Sequence, residues 1–266
     1  MPCVLQVGLT SYGVGCALAG HPDVFTRVAY FYDWIQSIIN PNKTGTPSTT
    51  SYRCHRVPSK CGCARTDVLL SNDMNTMGRI IGGQDAHPLS WSMVVSLKSI
   101  NGTHMCGGTI LSDRHILTAA HCLAAVDDPK RMFIHAGMHD LSQPGSTIHK
   151  IHRIAIHPSY SNSSFYLHDI AIIHLESSIG LDKQPSMGMA CVPMPNKTLE
   201  QYPPMNSSLV AVGWGMRGVN GSTTSNSLQQ ILTKVIDITD TSCAVPLDNE
   251  EYQFCAKSIR GRGGRI

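Results

Sequence analysis

Between residues 80 and 258 the apolar residues come in short runs: S-M-V-V-S-L at 92–97, T-I-L at 109–111, D-I-A-I-I-H-L at 169–175 and L-V-A-V-G-W-G at 209–215. Gly, Pro, Asn and Ser bound each run. Runs of this length between turn residues predict strands, and their spacing predicts an all-β barrel or sandwich. A second apolar zone covers residues 1–39. There V-L-Q-V-G-L-T-S-Y, beginning at Val4, predicts a strand, followed by a Gly-rich loop. Val28, Phe31, Ile35 and Ile38 then recur at helical spacing and predict a short amphipathic helix. Residues 40–79 carry no apolar period. They read as a Ser/Thr/Pro linker, N-P-N-K-T-G-T-P-S-T-T-S, followed by a cysteine knot, C-H-R-V-P-S-K-C-G-C, without a core of its own. The end, R-G-R-G-G-R-I, reads as a solvated tail.

Composition narrows the class. The 266 residues include 21 Lys+Arg and 18 Asp+Glu, a net charge of +3, too mild for nucleic-acid binding or an electrostatic membrane surface. At 42% hydrophobic the chain can bury a core, yet no run reaches the roughly 18 apolar residues of a membrane helix. The 10 cysteines suggest an oxidising compartment. N-x-S/T sequons at Asn42, Asn101, Asn162, Asn196, Asn206 and Asn220 agree with a secreted, extracellular glycoprotein. Residues 1–20 hold no signal peptide: a positive n-region is missing, and Thr10–Gly13 interrupts the apolar stretch. The expectation is a secreted protein whose true beginning is not in this chain.

Chemistry concentrates at residues 106–122, C-G-G-T-I-L-S-D-R-H-I-L-T-A-A-H-C. His121 follows a strand-like run, between two cysteines that could hold its loop still, as a general base requires. Asp169 stands at the mouth of a very apolar strand, where a carboxylate must find a partner; an imidazole Nδ1–H is a good one. Arg79 precedes an apolar I-I-G-G segment and reads as a basic cleavage residue before Ile80.

These motifs resemble the chymotrypsin/trypsin-like serine proteases over residues 80–258. The likeness rests on I-I-G-G, S-W-S-M-V-V-S-L, C-G-G-T-I-L, L-T-A-A-H-C, D-I-A-I-I-H-L, V-G-W-G, L-Q-Q-I-L-T-K-V-I-D, Cys243 and Q-F-C-A. It implies two six-stranded antiparallel β-barrels with a short C-terminal-type helix and the site between the barrels. His121 would be the general base, Asp169 its orienting partner, and Arg79–Ile80 the bond cut by an activating trypsin-like protease. Substrates would be proteins or peptides, cleaved through an acyl-enzyme without a cofactor.

The departure is that G-D-S-G-G occurs nowhere in the 266 residues. In the family that segment carries the nucleophile, the oxyanion-hole amides, the pocket floor and the aspartate that receives the new amino terminus. The second barrel is therefore expected to be incomplete and the chain alone inactive. The alternative is a catalytically dead protease-like binding or structural module. Residues 1–39 resemble the C-terminal end of the same family's domain, so that the chain holds the end of one domain, a linker over 40–79, and a domain over 80–266 that stops before its nucleophile motif. A tandem array and a sequence cut across a repeat both fit. By the resemblance Ser11, Tyr12 and Gly13 line the substrate cleft, and the Ser11 hydroxyl approaches Asp169. Asp23 would point into the primary pocket and favour basic side chains, or else be a solvated loop aspartate.

Cysteine pairing also follows the resemblance: Cys106–Cys122, Cys243–Cys255, and Cys191 with Cys61 or Cys63, Cys54 bridging to the other. Cys16 would stay unpaired. No metal site is expected. H-E-x-x-H is missing, His149, His152 and His157 lack acidic neighbours and read as strand or loop surface, and the loop after Gly137 offers only Asp140. Residues 1–39 should dock onto 80–258 as a permuted complement, since a linker of about 40 residues reaches roughly 130 Å. The Val4–Thr10 strand should lie beside Leu209–Trp214 or Cys255, Trp34 and Ile35 should pack on the body, and Ser11 should reach Asp169.

Overall fold

The computed structural model describes residues 4–13, 22–42, 61–63, 66, 68, 84–162, 166–184, 186–194, 202–217, 223–240, 243 and 250–259. The apolar runs after residue 84 become strands: β4 Val94–Ser99, β5 His104–Ser112, β6 His115–Thr118, β7 Met132–Ala136, β8 Thr147–Ile156 and β9 Ala171–Leu175. These close into an antiparallel barrel in the order β4-β5-β6-β9-β8-β7. Alternation explains its core. Val95, Leu97, Ile110, Ile116, Ile134, Ile151 and Ile173 fill the interior. The neighbouring Leu117, Ile170 and Ile172 face the other way and are equally buried. Burial on both faces is why D-I-A-I-I-H-L reads as a continuous apolar run rather than an alternating one.

A second, open sheet has the order β1-β2-β14-β13-β10. Its members are β1 Gly8–Gly13, β2 Asp23–Arg27, β10 Ser208–Gly213, β13 Gln229–Ile236 and β14 Gln253–Ser258, and β3 Gln84–Asp85 pairs on β13; β11 Met216–Arg217 and β12 Thr223–Thr224 pair separately as a short ribbon. Thus the fold is mostly β, one closed six-strand barrel beside a half-barrel sheet. Residues from the start of the chain are built into the half-barrel: Val24 lies opposite Cys255, and Phe25 opposite Phe254. The two phenyl rings stack at 5.4 Å.

Docking of the described residues of 1–39, 4–13 and 22–39, follows the expected plan, with two corrections. The strand begins at Gly8 rather than Val4. Its neighbour is β2, which in turn pairs with β14 around Cys255; β1 does not pair with Leu209–Trp214. The reason is that β2 supplies the nearer partner, leaving β1 on one edge of the sheet and β10 on the other. Residues 4–6 instead meet Gly62 of the linker and Cys191. Val4 N–H donates to the Gly62 carbonyl at 2.7 Å, and Gln6 N–H to the Cys191 carbonyl at 2.9 Å.

The helical period near residue 28 resolves into a 3-10 turn, Val28–Phe31, and an α-helix, α1 Tyr32–Ile39. Val28, Phe31 and Ile35 are fully buried against Leu111, Leu117, Ile170, Ile172 and Tyr252, with Trp34 packed alongside. Cys106–Cys122 and Cys243–Cys255 form as the resemblance implies, and Cys191 pairs with Cys61 rather than Cys63. Cys3, Cys16 and Cys54 lie outside the described residues. His149 is buried, with Nε2 2.8 Å from the Thr147 hydroxyl oxygen, rather than on the strand or loop surface expected of it.

Candidate active site

His121 sits in a 3-10 turn, Ala120–Cys122, just after β6. Ala120 is fully buried and Cys122 is tied to Cys106 on β5, so the turn is anchored on both sides of the imidazole. Asp169 stands just before β9, the strand paired with β6. The chain reaches it through Tyr166 at φ 44° and His168 at φ 52°, left-handed conformations that side-chain-bearing residues seldom adopt. The bend turns the carboxylate inward.

Asp169 is 0% exposed, so its oxygens depend on protein donors. Among the described residues it accepts three hydrogen bonds. His121 donates its backbone N–H to Oδ1 at 2.8 Å and its ring Nδ1–H to Oδ2 at 2.8 Å. The Ser11 hydroxyl, from β1, donates to Oδ2 at 2.5 Å. The Nδ1 proton is assigned from its carboxylate partner. That tautomer leaves Nε2 as the proton acceptor, on a side chain 32% exposed. Thr26, from β2, donates its hydroxyl to the Asp169 carbonyl at 3.0 Å. Side chains far apart in sequence thus converge on one carboxylate. Chemically, the arrangement can take a proton at Nε2 and stabilise the resulting imidazolium through the buried aspartate.

His121 opens onto a cavity of about 400 Å³. Its walls include Ser11, Phe25, the Cys106–Cys122 disulfide, Leu209–Gly215 and Phe254. Both sheet edges, β1 and β10, border it. Tyr12, Gly13 and Asp23 do not line this cavity. Tyr12 is buried among Val24, Ile236 and the Cys243–Cys255 bridge, and its ring lies 6.0 Å from Tyr166. Asp23 lies opposite Gly13 and Ala256 in the sheet. Arg79 and Ile80 fall outside the described residues, as do Asn196 and Asn220. Asn42, Asn101, Asn162 and Asn206 are exposed.

Tyr166 was missed by sequence reasoning. Its ring meets the His121 imidazole edge-on at 5.8 Å. Its position three residues before Asp169 was the available signal. Among the described residues no hydroxyl hydrogen-bonds His121 Nε2; its neighbour is Cys122 Sγ at 3.6 Å, already in a disulfide. Cys106, His121 and Cys122 cluster at metal-ligand distances, but a disulfide offers no thiolate, so the trio does not suit a metal. No helix among the described residues is long and apolar enough to cross a membrane.

The family profile described as Trypsin matches residues 80–264. The chain is similar to transmembrane protease serine 9 of Rattus norvegicus, 24% identical over 308 aligned residues that cover 96% of the chain and 28% of that protein. It is also similar to chymotrypsin-like elastase family member 1 of Macaca fascicularis, 32% identical over 168 residues, 61% of the chain and 59% of that protein. The chain therefore spans between 28% and 59% of the length of these two relatives. Among solved structures it is similar to neuropsin, a serine protease expressed in the limbic system of mouse brain. That match has 25% identity and a TM-score of 0.55, covering 68% of this chain and 78% of that one.

Proposed function

Because the chain belongs to the trypsin family of serine proteases, we propose that its cleft is an endopeptidase-type site for protein or peptide substrates, with His121 as general base and Asp169 as its orienting partner. The convergence of His121 and Ser11 on the buried Asp169 carries this reading. Ser11 borders the substrate cleft, whereas Tyr12, Gly13 and Asp23 stand beside it and do not line its cavity. The 266-residue chain by itself does not cleave. It contains no G-D-S-G-G, and no hydroxyl among the described residues is bonded to His121 Nε2. Losing the nucleophile removes the covalent route and nearly all of the rate.

The test is an active-site-directed fluorophosphonate on the purified 266-residue chain. No labelling is expected; stoichiometric labelling would refute the assignment. A protease-like binding module is the second reading, supported by the same bare Nε2. The transcript beyond Ile266 separates the two. A G-D-S-G-G segment makes the chain part of an enzyme, and a stop codon favours the module.

Residues 1–39 then belong to the end of an upstream domain of the same family. A single relative aligned over 96% of the chain, linker included, supports that division. The protein is a secreted glycoprotein and zymogen, cut after Arg79 by a trypsin-like protease and held together afterwards by Cys61–Cys191. Trypsin treatment with non-reducing electrophoresis checks the bridge, which fails if the pieces separate. Enzymatic deglycosylation checks the sequons, whose use requires a loss of mass.

A further inference from the structure

β6 and β9, which lead to His121 and away from Asp169, also carry a second pair of ionisable side chains at their far ends. His115 and His174 lie directly opposite each other across the two strands. Their rings are 4.4 Å apart at 79°, and His115 Nε2 is 3.1 Å from His174 Nδ1. Neither residue touches the cleft, and nothing in the proposed proteolytic chemistry uses them. We propose that His115 and His174 form a two-histidine clamp for a divalent late first-row ion, zinc, copper or nickel, bridging β6 and β9.

The geometry suits such an ion. Two imidazole nitrogens bound at about 2.0–2.1 Å with tetrahedral angles stand roughly 3.3–3.4 Å apart, a few tenths of an ångström wider than the pair. Directly opposed residues on antiparallel strands hold their side chains close without help from a loop. The outer contact is also of the right kind. The Ser112 hydroxyl lies 2.6 Å from His115 Nδ1 and already accepts the Arg114 N–H at 3.2 Å. With His115 Nδ1–H donating to Ser112, the ring is oriented and Nε2 carries the lone pair, as in metal-bound histidines whose other nitrogen is held by an outer partner. His174 Nε2 is buried without a hydrogen-bond partner. Either neutral tautomer of His174 leaves that atom unpaired; freeing Nδ1 for the ion gives up the hydrogen bond between the two rings, which two metal–nitrogen bonds replace.

Both imidazoles are held neutral, first by burial and then by positive neighbours that include Arg153, with His174 pushed down to about 4. Neutral imidazole is the ligand form. The same positive charge opposes an incoming cation, but Arg114 and Arg153 are exposed and screened by salt. Imidazole donors select zinc, copper and nickel over magnesium or calcium. An ion at this point ties together the two strands that position His121 and Asp169. It therefore stabilises the fold without entering the cleft.

The experiment is titration calorimetry of the full chain with zinc at physiological salt, together with Cu²⁺ paramagnetic resonance. One tight equivalent is expected in calorimetry, and in the spectrum superhyperfine coupling to two imidazole nitrogens. His115→Ala and His174→Ala should each abolish that equivalent, while His87→Ala, at an exposed histidine, should leave it intact. Ser112→Ala keeps both ligands and should weaken binding by about tenfold, the usual cost of losing an outer partner. Because Ser112 is not in the core, this variant gives a reading even if a histidine variant fails to fold. Binding that survives both His115→Ala and His174→Ala, or no specific equivalent in the parent chain, overturns the proposal.

Discussion

At the residue scale the most constrained group is Asp169. A carboxylate with 0% exposure is tolerable only because all its close donors are present, and one of them, Ser11, comes from 158 positions earlier in the chain. Ser11→Ala removes a hydrogen bond to a charged, buried acceptor. The expected loss is about 1.5–3 kcal/mol in denaturant unfolding. A change below about 0.5 kcal/mol, the range of an ordinary surface substitution, would mean that β1 is not docked at the carboxylate. Gly62 is constrained for a different reason. At φ +82°, a Cβ there would sit 2.9 Å from Cys191 Sγ and 3.0 Å from the Val4 carbonyl oxygen. Only glycine allows the linker to wedge between residues 4–6 and Cys191. This constraint was not legible in the sequence, where Gly62 is one glycine in a cysteine-rich knot. The pairing of His121 with Asp169 was legible, because each stands where an apolar strand must end in a polar group.

At the element scale, strand identity was readable and strand partnership was not. Short bounded runs predict β4, β5, β9 and β10 correctly, but a period of two names the faces of a strand, not its neighbours. Hence β1 could be expected beside Leu209–Trp214 or Cys255, whereas β2 took the place beside β14. The cross-strand meeting of His115 with His174 was hidden for the same reason. The helix fared better, since Val28, Phe31 and Ile35 declare their buried face by spacing alone. Its packing is what binds residues 1–39 to the barrel. Ile35 is 0% exposed among residues of β5, β6 and the approach to β9, so Ile35→Ala should cost about 2–5 kcal/mol through lost burial and the cavity left behind. Ile148, on β8 and 61% exposed, is the control, and its alanine variant should change stability by less than about 0.5 kcal/mol. Equal effects of the two substitutions would show that α1 does not seat as described.

At the scale of the whole molecule, the two apolar zones of the sequence become two faces of one interior, and half-buried histidines stand at their junction and across the cleft. His157 packs edge-on against Phe31 and Trp34, both from the first 39 residues, and stacks on His168 at 5.1 Å. His168 in turn stacks on Tyr252 at 4.4 Å. Burial, and then the neighbouring His168, push His157 down to about 4. On the other side of the cleft His104 bonds the Ser96 hydroxyl and meets Trp214 edge-on at 5.7 Å. Burial, and then Lys98, push it to about 4 as well. The sign of the linkage follows directly. Above an unfolded value of about 6.5 these rings are neutral in both states and contribute no pH dependence. Between about 6.5 and 4 the unfolded chain binds protons that the fold refuses, so stability falls as pH falls. Thermal unfolding midpoints should therefore be nearly level from pH 7 to 8 and decline from pH 6.5 to 4. His157→Gln, which cannot titrate, should flatten part of that decline while lowering the midpoint at neutral pH through lost stacking. A midpoint that rises on acidification, or a variant whose decline is as steep as the parent's, would show that His157 is not held neutral at the junction between residues 1–39 and the barrel.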